Sequence, residues 1–444
     1  MNQIRPFRGW HYTGDVSKLI APPYDILSGQ DKQALLAGSA DNIVAVDMPH
    51  FPPKELGPQE EYDDAAGKLQ AMQTAGVLTQ DSVPALYAYS QTYTWAGRSY
   101  TRRAIMCGVR ATELCEGVWP HEKTFAGPKA DRLRLTETTG VQLSPIFGFY
   151  EDTAGVNKML WTAAKGNPVA CGMLNGVQES LWAVTDSDVI AKVCAAMVDR
   201  PIFIADGHHR YTTALNYRNS LREAGKIDDY HEANYVLFTL VAMDDPGLLV
   251  LPTHRMITGL RGGFGCEELL AQTRGAVRWQ RVPISDALLD DADSFLRPFG
   301  PHAIAFLDAK FQGAYVGQLT DLSAMASLAP GENETWRTLD VAILQRYFLD
   351  EQISRNAAPS AQKSSPGANA HSEHGQGDLR VAYSAYGREV EKALRTGQCQ
   401  MAAMLQGTPL SAVKDIALAR AVMPHKSTYF YPKLATGMVL KPLT

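Results

Sequence analysis

The sequence is poor in several features that would narrow its function at once. Six cysteines (Cys107, Cys115, Cys171, Cys194, Cys266 and Cys399) are scattered over 444 residues without a single CxxC pair. That spacing excludes a cysteine-built metal site and a disulfide scaffold, and suits reduced, buried thiols. No apolar run approaches the ~20 residues that span a bilayer, so no membrane helix is expected. The opening MNQIRPFRGWHYTG lacks the apolar stretch of a secretory leader, and a cytoplasmic location is the expectation. A basic excess is missing too: 42 Lys and Arg face 47 Asp and Glu, a net charge of -5. Nucleic-acid binders usually carry the opposite balance, so a nucleic-acid partner is not expected. Neither GxGxxG nor GxxxxGK[ST] occurs, so the standard nucleotide folds are not signalled.

What is present describes a globular protein. Hydrophobic residues make up 45% and charged residues 20%, enough to bury a sizeable core in two or three domains. The one low-complexity stretch, Ser354 to Gly377, reads as a loop. His371 and His374 lie inside it without the rigid surroundings a metal site needs, and no metal site is assigned. Strands are expected at Asn42 to Met48 and Tyr235 to Met243, the latter buried and central. ALYAYSQTYTW and RSYTRRAIMCGVRA, joined by Ala96 and Gly97, read as a hairpin, as do HAIAFLDAK and GAYVGQLT. YDDAAGKLQAMQTAG and TLDVAILQRYFLDEQI read as helices. Irregular alternation with many hairpins predicts an α+β, mixed α/β architecture rather than a doubly wound parallel sheet.

The densest chemistry lies in IADGHHRYTTAL, Ile204 to Leu215. An apolar strand, Pro201 to Ala205, meets Asp206, Gly207, His208, His209 and Arg210. A helix follows, with Ala214, Tyr217 and Leu221 on one face. A helix N-terminus collects anions through its unpaired N–H groups and dipole. Gly207 permits the tight turn, Arg210 can fork onto a phosphate, and the histidines can donate to phosphate or shuttle a proton. The plain alternative is a helix cap, with Asp206 capping and the histidines partly buried.

A second cluster runs from Trp119 to Phe147. It holds His121 and Glu122, then Lys129, Asp131, Arg132 and Arg134, and closes on SPIF. Glu122 suits a general base and the cations suit a polyanion, although DRLRLTE is also an ordinary surface-helix pattern. Further along, APPYDI (Ala21 to Ile26) reads first as a rigid turn carrying Tyr24 and Asp25. In LPTHR, His254 and Arg255 suit either a phosphate pocket or a helix cap. HKSTYFYPK sets Lys426, Ser427, Thr428 and Lys433 among aromatics, which suits a lid over an anionic substrate or a single-stranded nucleic acid.

Taken together, the two clusters resemble the ParB/sulfiredoxin superfamily and, within it, the free serine kinases. These show an HE.T element, a PI strand and a DGHHR turn; the matching residues are His121-Glu122-Lys123-Thr124, Pro145-Ile146 and Asp206 to Arg210. The resemblance implies that Glu122 activates a serine hydroxyl and that Asp206, Gly207, His208, His209 and Arg210 handle nucleotide phosphates or Mg²⁺. The whole chain is also similar to a bacterial and archaeal family of unknown function often labelled SpoOJ/ParB-like. The shared motifs are PFRG, APPYDI, SPIF, ADGHHRY, MDDPGL, LPTHR and MPHKSTYFYPK, with His425 replacing that family's usual glutamine. The span from Glu122 to Asp206 is much longer than in the free serine kinases. An insertion near 150–199 must therefore fold away for the clusters to meet.

The resulting expectation is an N-terminal α/β region (1–110), a ParB/sulfiredoxin-like phosphate-binding core (111–260) and a C-terminal α/β region (261–444) carrying the loop 354–377. Function is expected to be phosphoryl transfer between a nucleotide, ATP or ADP with Mg²⁺, and a small hydroxylated metabolite, serine or phosphoserine. A phosphoserine-type phosphatase on the same pocket is one alternative. A ParB-like nucleotide-binding or DNA-associated module is another, but it calls for a basic helix-turn-helix region that the sequence does not show.

Overall fold

The computed structural model describes residues 4–53, 55–122, 127–358 and 379–443. Lys123 and Thr124, and His371 and His374 with the loop around them, lie outside the described residues. The chain forms two compact units, residues 1–249 with 432–444, and residues 250–431. The fold is mixed α/β. Among the described residues, no helix is long and apolar enough to cross a membrane.

The first unit is built on one mixed sheet. Strands β1 (Leu86–Trp95) and β2 (Arg98–Arg110) form the expected hairpin. Its two-residue turn sets Ala96 and Gly97 at φ 45° and 74°, the left-handed geometry that matches strand twist. The other long strands are β3 (Ile146–Tyr150), β4 (Ala170–Leu174), β5 (Val177–Val184), β6 (Ile202–Asp206) and β7 (Tyr235–Ala242). Their order is β4-β5-β1-β2-β7-β3-β6, with Gly14–Asp15 beyond β4 and Val118–Trp119 beyond β6. β7 is buried at every position and sits inside the sheet, antiparallel to β2 and parallel to β3. The sheet runs across position 110, since β2 pairs with β7.

Helix α1 (Gln59–Thr74) appears where the sequence pattern places it, and α2 (Gly127–Thr139) packs on the sheet-flanking helices. The segment near 150–199 comprises α3 (Val156–Ala163), the β4–β5 hairpin and α4 (Ser187–Ala196). The hairpin joins the far side of the sheet against β1, so β3 and β6 remain direct neighbours. The expected strand at Asn42 to Met48 is instead a short helix, Val44–Asp47. Asn42 explains the difference: its Oδ1 accepts the Val44 N–H, and its Nδ2 donates to the carbonyls of Lys18 and Ile20. The side chain thus starts a turn that a ladder would forbid.

The second unit holds a six-stranded antiparallel sheet. Its strands are β8 (His254–Thr258), β9 (Val277–Val282), β10 (Ile304–Asp308), β11 (Ala314–Leu319), β12 (Arg380–Ser384) and β13 (Met401–Met404). The order is β9-β11-β10-β13-β8-β12. β10 and β11 are the second expected hairpin. The expected helix near 338–353 begins as Asp340–Ile343 and continues as a π-helix, Leu344–Ile353.

Candidate functional site

β6 ends in the Asp-Gly-His-His-Arg turn. The pairing of β6 with β3 shifts register between Ile204 and Asp206, so the strand is bent where the site begins. Gly207 follows at φ 98°, ψ 26°, and helix α5 (His208–Glu223) starts on the next residue. The expected strand-to-helix turn is present. Its buried helix face is His208, Tyr211, Leu215 and Arg218, whereas of the three residues expected there only Ala214 is buried. Here His208 heads the inward stripe, which turns the helix away from the simple apolar reading.

The two sequence clusters meet because their preceding strands pair. Ile202 lies beside Val118 and Phe203 beside Trp119, so the chain leaves this edge strand directly into His121 and Glu122. The His121 and His208 rings pack edge to face, with centroids 4.7 Å apart. His121 Nδ1 lies 2.8 Å from the Ile204 carbonyl oxygen, so it is the protonated nitrogen and donates there. The backbone N–H of His121 donates to His208 Nε2 at 3.3 Å, which leaves that nitrogen unprotonated. Burial depresses the His208 pKa to about 3 and lowers that of His121 as well. Both are therefore neutral at pH 7 and fixed in tautomer. Glu122 is half-buried, close enough for its charge to act on both rings. His209 is also half-buried.

Asp206 is the charged centre of the turn. Lys433 Nζ lies 2.8 Å from its Oδ2, and Arg210 Nη2 3.8 Å from its Oδ1. Burial alone would raise the Asp206 carboxyl, but Lys433 and Arg210 together hold it well below the usual carboxylate range. Arg210 also donates through Nη1 to the Pro145 carbonyl, in the SPIF segment. Thus His121, Glu122, Asp206, Gly207, His208, His209, Arg210 and Lys433 share one region.

Arg132 is buried beside it in a cavity of about 50 Å³. Its Nε donates to Asp131 at 2.8 Å, its Nη1 to the Asp47 carbonyl at 2.6 Å, and its guanidinium lies over the Tyr24 ring at 3.9 Å. Ser144 donates to the Asp47 carboxylate at 2.9 Å. Tyr24, Asp47, Ser144 and Thr213 all line this cavity with Arg132 and Arg210. Sequence reasoning passed over Asp47, Ser144 and Thr213 and took Tyr24 for a turn residue. Two signals were available: Tyr24 lies in APPYDI and Ser144 in SPIF.

Lys129 is half-buried on α2. Arg134 is exposed and pairs with Gln59 and Glu137. His254, Arg255, Lys426, Ser427 and Thr428 belong to the second unit. There, His254 Nδ1 accepts the Leu405 N–H, and burial takes its pKa to about 3. Arg255 donates to the Thr253 carbonyl and lies over Tyr383, with burial lowering its pKa to about 10. Ser427 is buried and donates to the Pro424 carbonyl. Lys426 holds a left-handed φ of 55°. These contacts are those of packed interior and turn residues.

A family described as "Protein of unknown function (DUF1015)" matches residues 4–342. No curated protein matches the chain. Among solved structures, a free serine kinase variant in complex with AMP aligns at TM-score 0.33 and 8% identity, covering 74% of this chain and 86% of its own. A conserved hypothetical protein from Pyrococcus furiosus aligns at TM-score 0.32 and 11% identity, covering 77% and 97%. SbnI with a C-terminal truncation, from Staphylococcus aureus, aligns at TM-score 0.31 and 11% identity, covering 76% and 87%.

Proposed function

For this chain, which belongs to the DUF1015 family of proteins of unknown function, we propose a phosphotransferase acting between a nucleotide and a small hydroxylated metabolite, with serine or phosphoserine the leading candidate. The observation that carries this reading is the turn at Asp206. An anion-accepting helix start, a lysine and an arginine converge there, with Glu122 close by. A bound ATP or ADP would supply the phosphoryl group. The first-turn N–H groups of α5, Arg210 and Lys433 would hold its phosphates and offset charge that develops during transfer. As the acceptor oxygen attacks phosphorus and the bond to the leaving phosphate breaks, Glu122 takes the hydroxyl proton. His208 and His121, both neutral, hold the turn in place rather than carry that proton.

Mg²⁺ enters this reading only as a companion of the nucleotide phosphates. Among the described residues, no three acidic, histidine or cysteine side chains gather into a metal cage, and Asp206 is engaged by Lys433 and Arg210. No step is assigned to the metal.

The test is phosphoryl transfer from ATP or ADP to serine, followed by hydrolysis of phosphoserine. Glu122→Gln keeps size but loses basicity, so turnover should fall ~10²–10⁴-fold with nucleotide affinity nearly kept. Arg210→Lys keeps charge but loses the fork, so nucleotide affinity should weaken. Full activity in Glu122→Gln removes that residue from the mechanism. Unchanged nucleotide binding in Arg210→Lys returns the turn to a helix cap. Hydrolysis without transfer favours the phosphatase.

A further inference from the structure

Three motifs with no evident connection in sequence converge on one cavity. APPYDI contributes Tyr24, DRLRL contributes Arg132, and SPIF contributes Ser144. Arg210 and Thr213, from the first two turns of α5, and Asp47 add to its polar wall. Thr136 and Gln142 also line it, and the apolar part is Leu135, Val141, Leu143, Ile146, Val236 and Leu237. Arg132 is 6% exposed and Thr213 2% exposed. Each leaves a buried polar atom without a hydrogen-bond partner, Nη2 of Arg132 and Oγ1 of Thr213. A buried guanidinium nitrogen and a buried hydroxyl are costly to leave unmet, and both of these residues line the one cavity.

We infer that this cavity is a binding site for a small monocarboxylate, with Arg132, Arg210 and Thr213 as its anion-recognising groups. Charge favours this class. The wall carries two guanidiniums and one carboxylate, and Ser144 and Arg132 already hold that carboxylate, Asp47. Arg132 also pairs with Asp131 and Arg210 lies 3.8 Å from Asp206, so the positive charge left to a ligand suits a monoanion and not a dianion. Size agrees, because a cavity of about 50 Å³ suits a small ligand and not a bulky one. Guanidinium donors also match the geometry of a carboxylate. Identification of this ligand as the phosphoryl acceptor rests on the reading in the preceding section. Arg210 then bridges the acceptor's carboxylate and the Asp206 turn, which restricts the acceptor to a short hydroxy or amino acid.

Calorimetric titration of the full chain without nucleotide tests the site. L-serine and glycerate carry the carboxylate; ethanolamine and glycerol lack it. The first pair should bind and the second pair should not. Thr213→Val, which preserves shape, and Arg132→Lys should each weaken serine binding by about tenfold or more. Thr213→Val keeps the test decisive if Arg132→Lys fails to fold. Equal binding of serine and ethanolamine, no binding of either carboxylate, or unchanged affinity in Thr213→Val would overturn the inference. A parallel titration with ATP and ADP reads the phosphate site separately. Nucleotide binding without carboxylate binding removes the cavity site and leaves the phosphotransferase reading. Carboxylate binding without nucleotide binding keeps the site and removes its role as acceptor anchor.

Discussion

Lys433 Nζ donates to Asp206 Oδ2 at 2.8 Å across 227 residues of chain. The contact depends on a buried clamp beneath it. Arg102 donates to the Pro432 carbonyl at 2.6 Å, and Gln91 to the Lys433 carbonyl at 3.0 Å. Two neighbouring strands of the central hairpin therefore fix the backbone that delivers the lysine. Arg102 and Gln91 are buried, and Glu179 accepts from Gln91 at 2.9 Å. The C-terminal segment, which in sequence suits a lid over an anionic substrate, is, at Lys433, anchored to the sheet.

Lys433→Met should remove the shorter of the two ion pairs on Asp206. The pair is partly buried, so the expected loss is about 1–2 kcal/mol, between exposed and buried cases. The Asp206 pKa is depressed in the folded chain, so its contribution is full above the unfolded value of about 4 and is lost progressively as pH falls from there toward the much lower folded value. Thermal denaturation between pH 2.5 and 7 should show the variant deficit above pH 4 and its shrinkage below. A deficit that stays constant through this range would detach Lys433 from the Asp206 charge.

Gly207→Ala addresses the turn itself. At φ 98° a side chain is strained, and a Cβ would stand 3.1 Å from the Arg210 guanidinium. The cost should be about 1–3 kcal/mol, read as a lower midpoint in denaturant. Because the guanidinium must shift, nucleotide affinity should fall too. A variant as stable as the parent would mean that the turn relaxes without strain.

Sequence reasoning located the turn because its signals are local: an apolar strand, an Asp-Gly pair, then helical periodicity. The β1–β2 hairpin and buried β7 were legible for the same reason. Asn42 to Met48 was misread because a short apolar run has no period that separates strand from helix, and the side chain of Asn42 settles it by bonding to its own backbone. Tyr24 and Asp47 were illegible as a set. Their meeting with Arg132 depends on three segments closing over one cavity, and no single segment carries that information. For His208 the sequence shows the residue type but not its burial. Its type suggests a titrating group, but burial and the His121 N–H fix it as a neutral acceptor.

That last point yields a pH prediction. The folded His208 pKa is about 3, whereas an unfolded histidine titrates near 6.5. Below pH 6.5 the unfolded chain gains a proton that the folded chain refuses, so stability is full above 6.5 and falls progressively as pH drops toward 3. The loss attributable to this ring should reach about 2 kcal/mol near pH 5. His121, lowered in the same direction by burial, adds to the slope. His208→Gln removes the titration but keeps an oxygen able to accept the His121 N–H. Its stability between pH 7 and 4.5 should therefore vary less than the parent's, even if its stability at pH 7 is lower. Denaturant unfolding at a series of pH values measures both curves. Identical slopes, or an imidazole signal from His208 titrating near pH 6.5 in the folded parent, would show that the ring takes up its proton freely and is not a fixed neutral acceptor.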